Sequence, residues 1–242
     1  MILANVRSRL TREDARLALA LLEQVGSEEP EVDEDRLREQ GIDALLDDKR
    51  LLNALMTRRL GAAASMPLFA YVLARHALLQ SGETDRTLAD YASAILVHFG
   101  VRDRATRVAD SDDEVYDALV ALVESVDGPD ARRTFLVRAH LGNYALWLAG
   151  LFPDYIEHRR WRRGAPGLDY YDEMGQRGFR LAAEHRLAAE HGLAPLFARA
   201  AERFPVLRTA LNRVSDSVMF PNVSSPERVM RQVRDGVRWR LA

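Results

Sequence analysis

No cysteine occurs in this 242-residue chain, and lysine occurs once, at Lys49. The first absence removes disulfide frameworks, thiolate zinc sites and cysteine nucleophiles, leaving any metal or redox chemistry to histidines and carboxylates. The second says less, because GC-rich codons replace lysine by arginine without a functional cause. Phosphate-binding loops are missing too: there is no Gly-x-x-x-x-Gly-Lys-Ser/Thr, no dinucleotide glycine fingerprint after a strand and no Gly-x-Ser-x-Gly. These gaps exclude the common nucleotide and hydrolase folds. No window alternates strictly between apolar and polar residues, so no strand is expected, and no solenoid-length repeat recurs. The longest apolar run, Leu141 to Phe152, is 12 residues, against roughly 20 needed to cross a bilayer. The start, MILANVRSRLTRED, meets charges too early for a secretory signal. The expectation is a soluble, cytoplasmic protein with no membrane contact, no cofactor and no metal centre.

What is present is ordinary globular composition, 48% hydrophobic and 29% charged. The net charge of −2 conceals an asymmetry: residues 1 to 130 hold 15 Lys/Arg against 25 Asp/Glu, whereas the remainder holds 19 Arg against 11 acids. Opposite halves attract each other within one chain or head to tail between two, and the basic half can hold an anionic partner. A single helical domain over 1–242 is expected, with an acidic lobe over 1–128 and an Arg-rich lobe over 129–242.

Helix signals are dense. Thr11 to Asp14 has capping-box spacing ahead of an apolar stripe, and Gly26 suits its stop. Beyond the acidic segment Ser27 to Asp35, helices are predicted over about 35 to 46 and 47 to 60, with Gly61 closing the second. Further helices follow over 66 to 80, with Pro67 in the first turn, and over 85 to 99. Ser111 to Glu114 forms another capping box. The C-terminal half reads as helices over 130 to 153, 154 to 163, 168 to 191, 194 to 203, 206 to 219 and 225 to 241. The fold class is all-α, a helical bundle or orthogonal array of about ten helices with no sheet.

Four groups of residues invite a functional reading. The run His158-Arg-Arg-Trp-Arg-Arg163 brings Arg159, Arg160, Arg162 and Arg163 beside an aromatic face, and Arg228, Arg231, Arg234 and Arg238 recur near helical spacing in the terminal helix. Arginine forks suit phosphate, so both sets are candidate anion, nucleic-acid or protein contacts. The plainer reading is that the first run closes one helix, Gly164-Ala-Pro-Gly167 turns the chain, and Asp169, Asp172 and Glu173 start the next. In the most apolar helix, His140, Asn143, Tyr144 and Trp147 share a face. They form a pocket wall with Tyr170 and Tyr171, or a packed polar network, since an unsatisfied buried polar group costs about 1–3 kcal/mol. Asp113 with Asp117, and Asp169 with Asp172 and Glu173, have the helical spacing of acids that hold Mg²⁺ and diphosphate, but they depart from the patterns of isoprenoid synthases. His76, His98, His185 and His191 lack metal-ligand spacing.

The segment Leu141-Gly-Asn-Tyr-Ala-Leu-Trp-Leu-Ala-Gly-Leu-Phe-Pro153, followed by Gly164-Ala-Pro-Gly-Leu-Asp-Tyr-Tyr171, Gly175, Phe179 and Ala182-Ala183, resembles a group of bacterial all-helical proteins to which no function is attached. The likeness covers roughly residues 135 to 190 and implies one structural module, with no activity or catalytic residue to transfer. The leading expectation is a non-enzymatic protein that binds another protein or its own copy. An interior ligand pocket around His140, Asn143 and Tyr170, or nucleic-acid binding through the arginines, are the alternatives.

Overall fold

The computed structural model describes residues 2–25, 35, 37–39, 41–57, 62–100, 105, 107–108, 119–223 and 225–240, apart from the side chains of 120 and 237–240. The described residues are all-helical, with ten helices of seven or more residues and no strand. They form two compact units, Ile2–His98 and Phe99–Ala242, so the division falls well before the expected position 128. The Ser111 capping box, the Asp113/Asp117 pair, Gly26, Gly61 and nearly all of the acidic segment lie outside the described residues. None of the described helices is long and apolar enough to span a membrane.

In the N-terminal unit, a 3-10 turn (Arg7–Arg9) leads into α1 (Arg12–Gln24). The predicted capping box is formed: Thr11 Oγ1 accepts from the Asp14 N–H, and the Asp14 carboxylate accepts from the Thr11 N–H at 2.8 Å. The helix predicted over 35 to 46 is interrupted. Gly41 takes the left-handed φ of 73°, which a continuing helix cannot hold, so only a short α2 (Asp43–Leu46) follows. Then come α3 (Lys49–Met56), α4 (Met66–Leu79) and α5 (Arg86–Phe99). Ser65 caps α4 through the Leu68 N–H and Pro67 sits in its first turn, as read from sequence. Asp85 accepts from the Thr87 and Leu88 N–H groups to open α5. Leu21, Leu22, Leu45, Leu46, Leu51, Leu68, Tyr71 and Tyr91 make the core.

The C-terminal unit is built around α7 (Ala131–Leu151), preceded by α6 (Leu119–Glu124). Asp130 caps α7 by accepting from the Arg132 and Arg133 N–H groups. Pro153 then starts α8 (Pro153–Arg163), which ends where Gly164 turns left-handed at φ 61°. The helix α9 (Leu168–Ala183) stops short of the predicted 191, because His185 leaves the helix and caps a separate α10 (Arg186–Glu190) through the Leu187 N–H. After it come α11 (Ala194–Glu202), α12 (Phe204–Val214), a π-helical turn (Ser215–Met219) and α13 (Pro226–Arg240).

The closest helix crossing is α9 on α7. A Cβ on Gly178 would lie 2.6 Å from the Gly142 backbone nitrogen, and one on Gly142 would lie 2.4 Å from the Phe179 ring. Two hydrogens in place of two methyls therefore let the backbones meet. Phe179, Phe197 and Phe204 fill the space around this seam, with ring centroids 6.0 Å apart.

Candidate functional site

An α-helix leaves its last carbonyls without partners. For α7 these are supplied from α12 and the π turn: Asn212 Nδ2 donates to the Ala149 and Gly150 carbonyls at 2.7 and 2.8 Å, and Ser215 Oγ to the Leu151 carbonyl at 2.7 Å. Asn212 in turn accepts from Arg208 Nη1; Arg208 is only 2% exposed, and its Nε donates to Asp172 Oδ2 at 3.2 Å and lies 2.9 Å from Oδ1. Asp235 of α13 lies 3.6 Å from the same guanidinium. Asp172 is thus not a solvated first-turn acid, as its position in α9 implied, but a buried counter-ion. Among the described residues no group of three or more His, Cys, Asp or Glu side chains could hold a metal ion.

A second ionic layer fixes α13. Arg228 donates to Asp154 on α8 and to the Phe220 and Val223 carbonyls at 2.7 and 2.8 Å. Arg231 reaches Asp216 at 2.7 Å and Asp154 at 3.3 Å, and Gln232 adds a bond to Asp216 at 2.9 Å. Arg231, a candidate contact, is only 3% exposed and its charge is matched by Asp216 and Asp154, although it also lines the groove between α8 and α13. The cause is the orientation of the helix. Arg228, Arg231 and Asp235 form the buried stripe of α13, while Val229, Met230 and Val233 point outward. Ordinary surface helices do the reverse.

Of these outward residues Met230 faces the groove of about 350 Å³ between α8 and α13, lined also by Glu157, Arg160, Trp161, Glu227, Arg231 and Arg234. Trp161 is 72% and Met230 69% exposed, the two most exposed large apolar side chains described. Arg160 lies over the Trp161 ring at 5.9 Å and 3.6 Å from Glu157. The predicted cation set therefore separates: Arg160 and Arg234 edge the groove, Arg162 and Arg163 are exposed, and Arg159 stacks over Tyr155 at 5.6 Å. The side chain of Arg238 lies outside the described residues.

The other predicted group also divides. His140 stacks on Tyr144 and Tyr144 on Trp147, each at 6.0 Å, and the ladder continues through Phe152 to Phe220. His140, Asn143 and Tyr144 are buried. Tyr170 and Tyr171 meet each other edge to face at 5.9 Å, and Tyr171 packs with Leu148, Ala149, Ile156 and Leu168. At 1.5 Å per residue, Ala149 stands about 13 Å along α7 from His140. Tyr171 therefore packs near the C-terminal end of that helix, whereas His140 lies at its middle. Burial raises the pKa of Tyr171, which suits a packed phenol.

The N-terminal unit holds a charge cluster that no local motif announced. Arg75, buried, forks onto Asp47 at 2.8 and 3.0 Å and donates to the Thr84 carbonyl at 2.8 Å. Arg86 also pairs with Asp47, at 2.6 Å, and Arg7 with Asp43. Burial alone would raise the pKa of Asp47, but hydrogen bonds and charge from Arg75 and Arg86 hold it below its ordinary value. Asp90 accepts from the Arg7 backbone N–H at 2.8 Å; its pKa is nonetheless raised, by burial. The fully buried Tyr71 lies beside them, with burial pushing its phenol up to about 12. These residues come from positions 7 to 90, so only the tertiary fold assembles them.

No family model, curated protein or solved structure matches the chain.

Proposed function

We propose that this protein acts by binding another protein, without chemistry of its own, and that the α8–α13 face of its C-terminal unit makes the contact. The observation that carries this reading is the inverted amphipathicity of α13, where Arg228, Arg231 and Asp235 are buried while Val229, Met230 and Val233 face water. Protein interfaces are enriched in Trp, Met and Arg, and a few central aromatic or arginine anchors carry most of their energy. Trp161, Met230, Arg160 and Arg234 supply that set around one groove. Nucleic-acid binding is the weaker reading, because ion pairs with Asp154 and Asp216 already use Arg228 and Arg231 and Glu227 stands where phosphate would pass.

The test is a photo-crosslinking amino acid placed at Met230 in the full chain within its host, with Arg186, exposed on α10, as the control position. Protein adducts at 230 that are absent at 186 and disappear with Trp161→Ala are expected. Adducts to RNA or DNA would move the function to nucleic acid, and equal yields at both positions would overturn the reading.

A further inference from the structure

The outward side of α13 is complementary to its own reverse. Glu227, Met230 and Arg234 follow one another at i, i+3 and i+7, so all three fall on one face of the helix, and all three line the groove. Val229 and Val233 flank Met230 and are exposed. The face is therefore acid, apolar centre, base, with the two charges about 10 Å apart along the axis.

Resting on the reading that this face binds protein, we infer that its occupant is a second copy of the chain, with the two α13 helices antiparallel about a twofold axis close to Met230. A twofold contact requires a patch complementary to itself. With the axis between residues 230 and 231, reversing α13 sets Glu227 of each copy opposite Arg234 of the other and leaves Met230 near Met230 and Val229 near Val233, each within about 2 Å along the helix. Two symmetric ion pairs then border an apolar strip along one edge, the arrangement that fixes direction and register in paired helices. A parallel alignment would instead set Glu227 against Glu227 and Arg234 against Arg234, which like-charge repulsion opposes. The charges buried behind α13 favour the same result, since Arg228, Arg231 and Asp235 hold the helix from within and leave its apolar residues to a partner.

The absence of native cysteine makes the geometry testable by disulfide mapping of the full chain. Met230→Cys, at the axis, should give a disulfide-linked dimer under mild oxidation, because the Cα atoms of bridged cysteines stand roughly 4.4–6.8 Å apart. Glu227→Cys, displaced from the axis, should give none; a parallel pair would reverse that outcome for Glu227 and overturn the arrangement. By sedimentation equilibrium, Glu227→Arg and Arg234→Glu should each weaken the dimer at least about tenfold, and the double reversal should restore it. Those two variants alter only surface charge, so they remain informative if a substitution at Met230 disturbs folding. A monomer at about 100 µM, or a dimer indifferent to both reversals, would overturn the second copy as occupant. If residue 230 still crosslinks to a different protein, the binding function stands and only its self-association falls.

Discussion

Gly178→Ala and Gly236→Ala make the same chemical change in two helices and should move stability in opposite directions. At Gly178 the added methyl would lie 2.6 Å from the Gly142 nitrogen and 3.0 Å from both the Arg138 carbonyl oxygen and Leu141 Cγ. Two of the three obstacles are backbone, so no rotamer relieves the clash. To recover ordinary contact near 3.6 Å, α9 must retreat by about 1 Å. That retreat loosens Phe179 over Gly142 and, one turn away, Gly175 against Phe204. Overpacking costs about 1–3 kcal/mol, and a backbone clash belongs at the upper end. Alanine's better helix propensity returns about 1 kcal/mol, leaving a net loss near 2 kcal/mol. At roughly 2–4 °C per kcal/mol for a chain of this size, the melting temperature should fall by about 4–8 °C. Around Gly236 nothing lies within 4 Å, so there the propensity gain of about 0.5–1 kcal/mol is uncompensated. Urea unfolding followed by tryptophan fluorescence measures both. A Gly178→Ala protein as stable as the parent would show that α7 and α9 do not meet backbone to backbone, and the close crossing would have to be abandoned.

Arg208→Met should cost about 3–5 kcal/mol, since it leaves Asp172 and Asp235 buried with no cation; a urea midpoint within error of the parent would refute the network. His76 has its pKa lowered by burial, while its Nε2 meets the Leu46 carbonyl at 3.1 Å. Stability should therefore be complete above the free imidazole value of 6.5 and fall as pH drops through that value toward the lower folded one. His76→Gln should flatten this region of a stability–pH curve, and an unchanged slope would count against the buried neutral ring. Asp47, held below the ordinary aspartate value of 3.8, contributes stability above that pH that disappears as pH falls through the lower folded value. Asp47→Asn should be less stable at neutral pH and lose that part of the acid slope in the same titration; equal stability at pH 7 would show that Arg75 and Arg86 are satisfied elsewhere.

Several boundaries were legible because their signals are local. The Thr11 box, Pro67 in a first turn, Asp85, Asp130 and Gly164 each start or stop a helix through atoms only a few residues away. The break at His185 was not legible, because the segment around it has good helix formers and only the packing of α9 and α10 stops them merging. The direction of α13 was not legible either. Its sequence carries an apolar stripe at 229, 230 and 233 and a charged stripe at 228, 231 and 235, both with helical spacing, and the usual preference chooses the apolar one as inward. Asp154, Asp216 and Arg208 invert that preference, and their distance in sequence conceals it. The same limit applies to Asp47, whose partners Arg75 and Arg86 lie on other helices. Spacing identified His140, Tyr144 and Trp147 as one face, as their stack shows; it could not tell that Tyr171 packs with Ala149, Ile156 and Leu168 near the end of α7.

Hiding charge rather than hydrocarbon also changes what a loosened α13 would present to the cell. A helix that peels from an oily bed leaves a sticky scar, and such scars seed aggregates. Beneath α13 lie guanidinium and carboxylate groups that water rehydrates readily, so the exposed bed would stay wettable. Those ion pairs are screened by salt, so raising ionic strength should loosen α13 more than an apolar seat would allow.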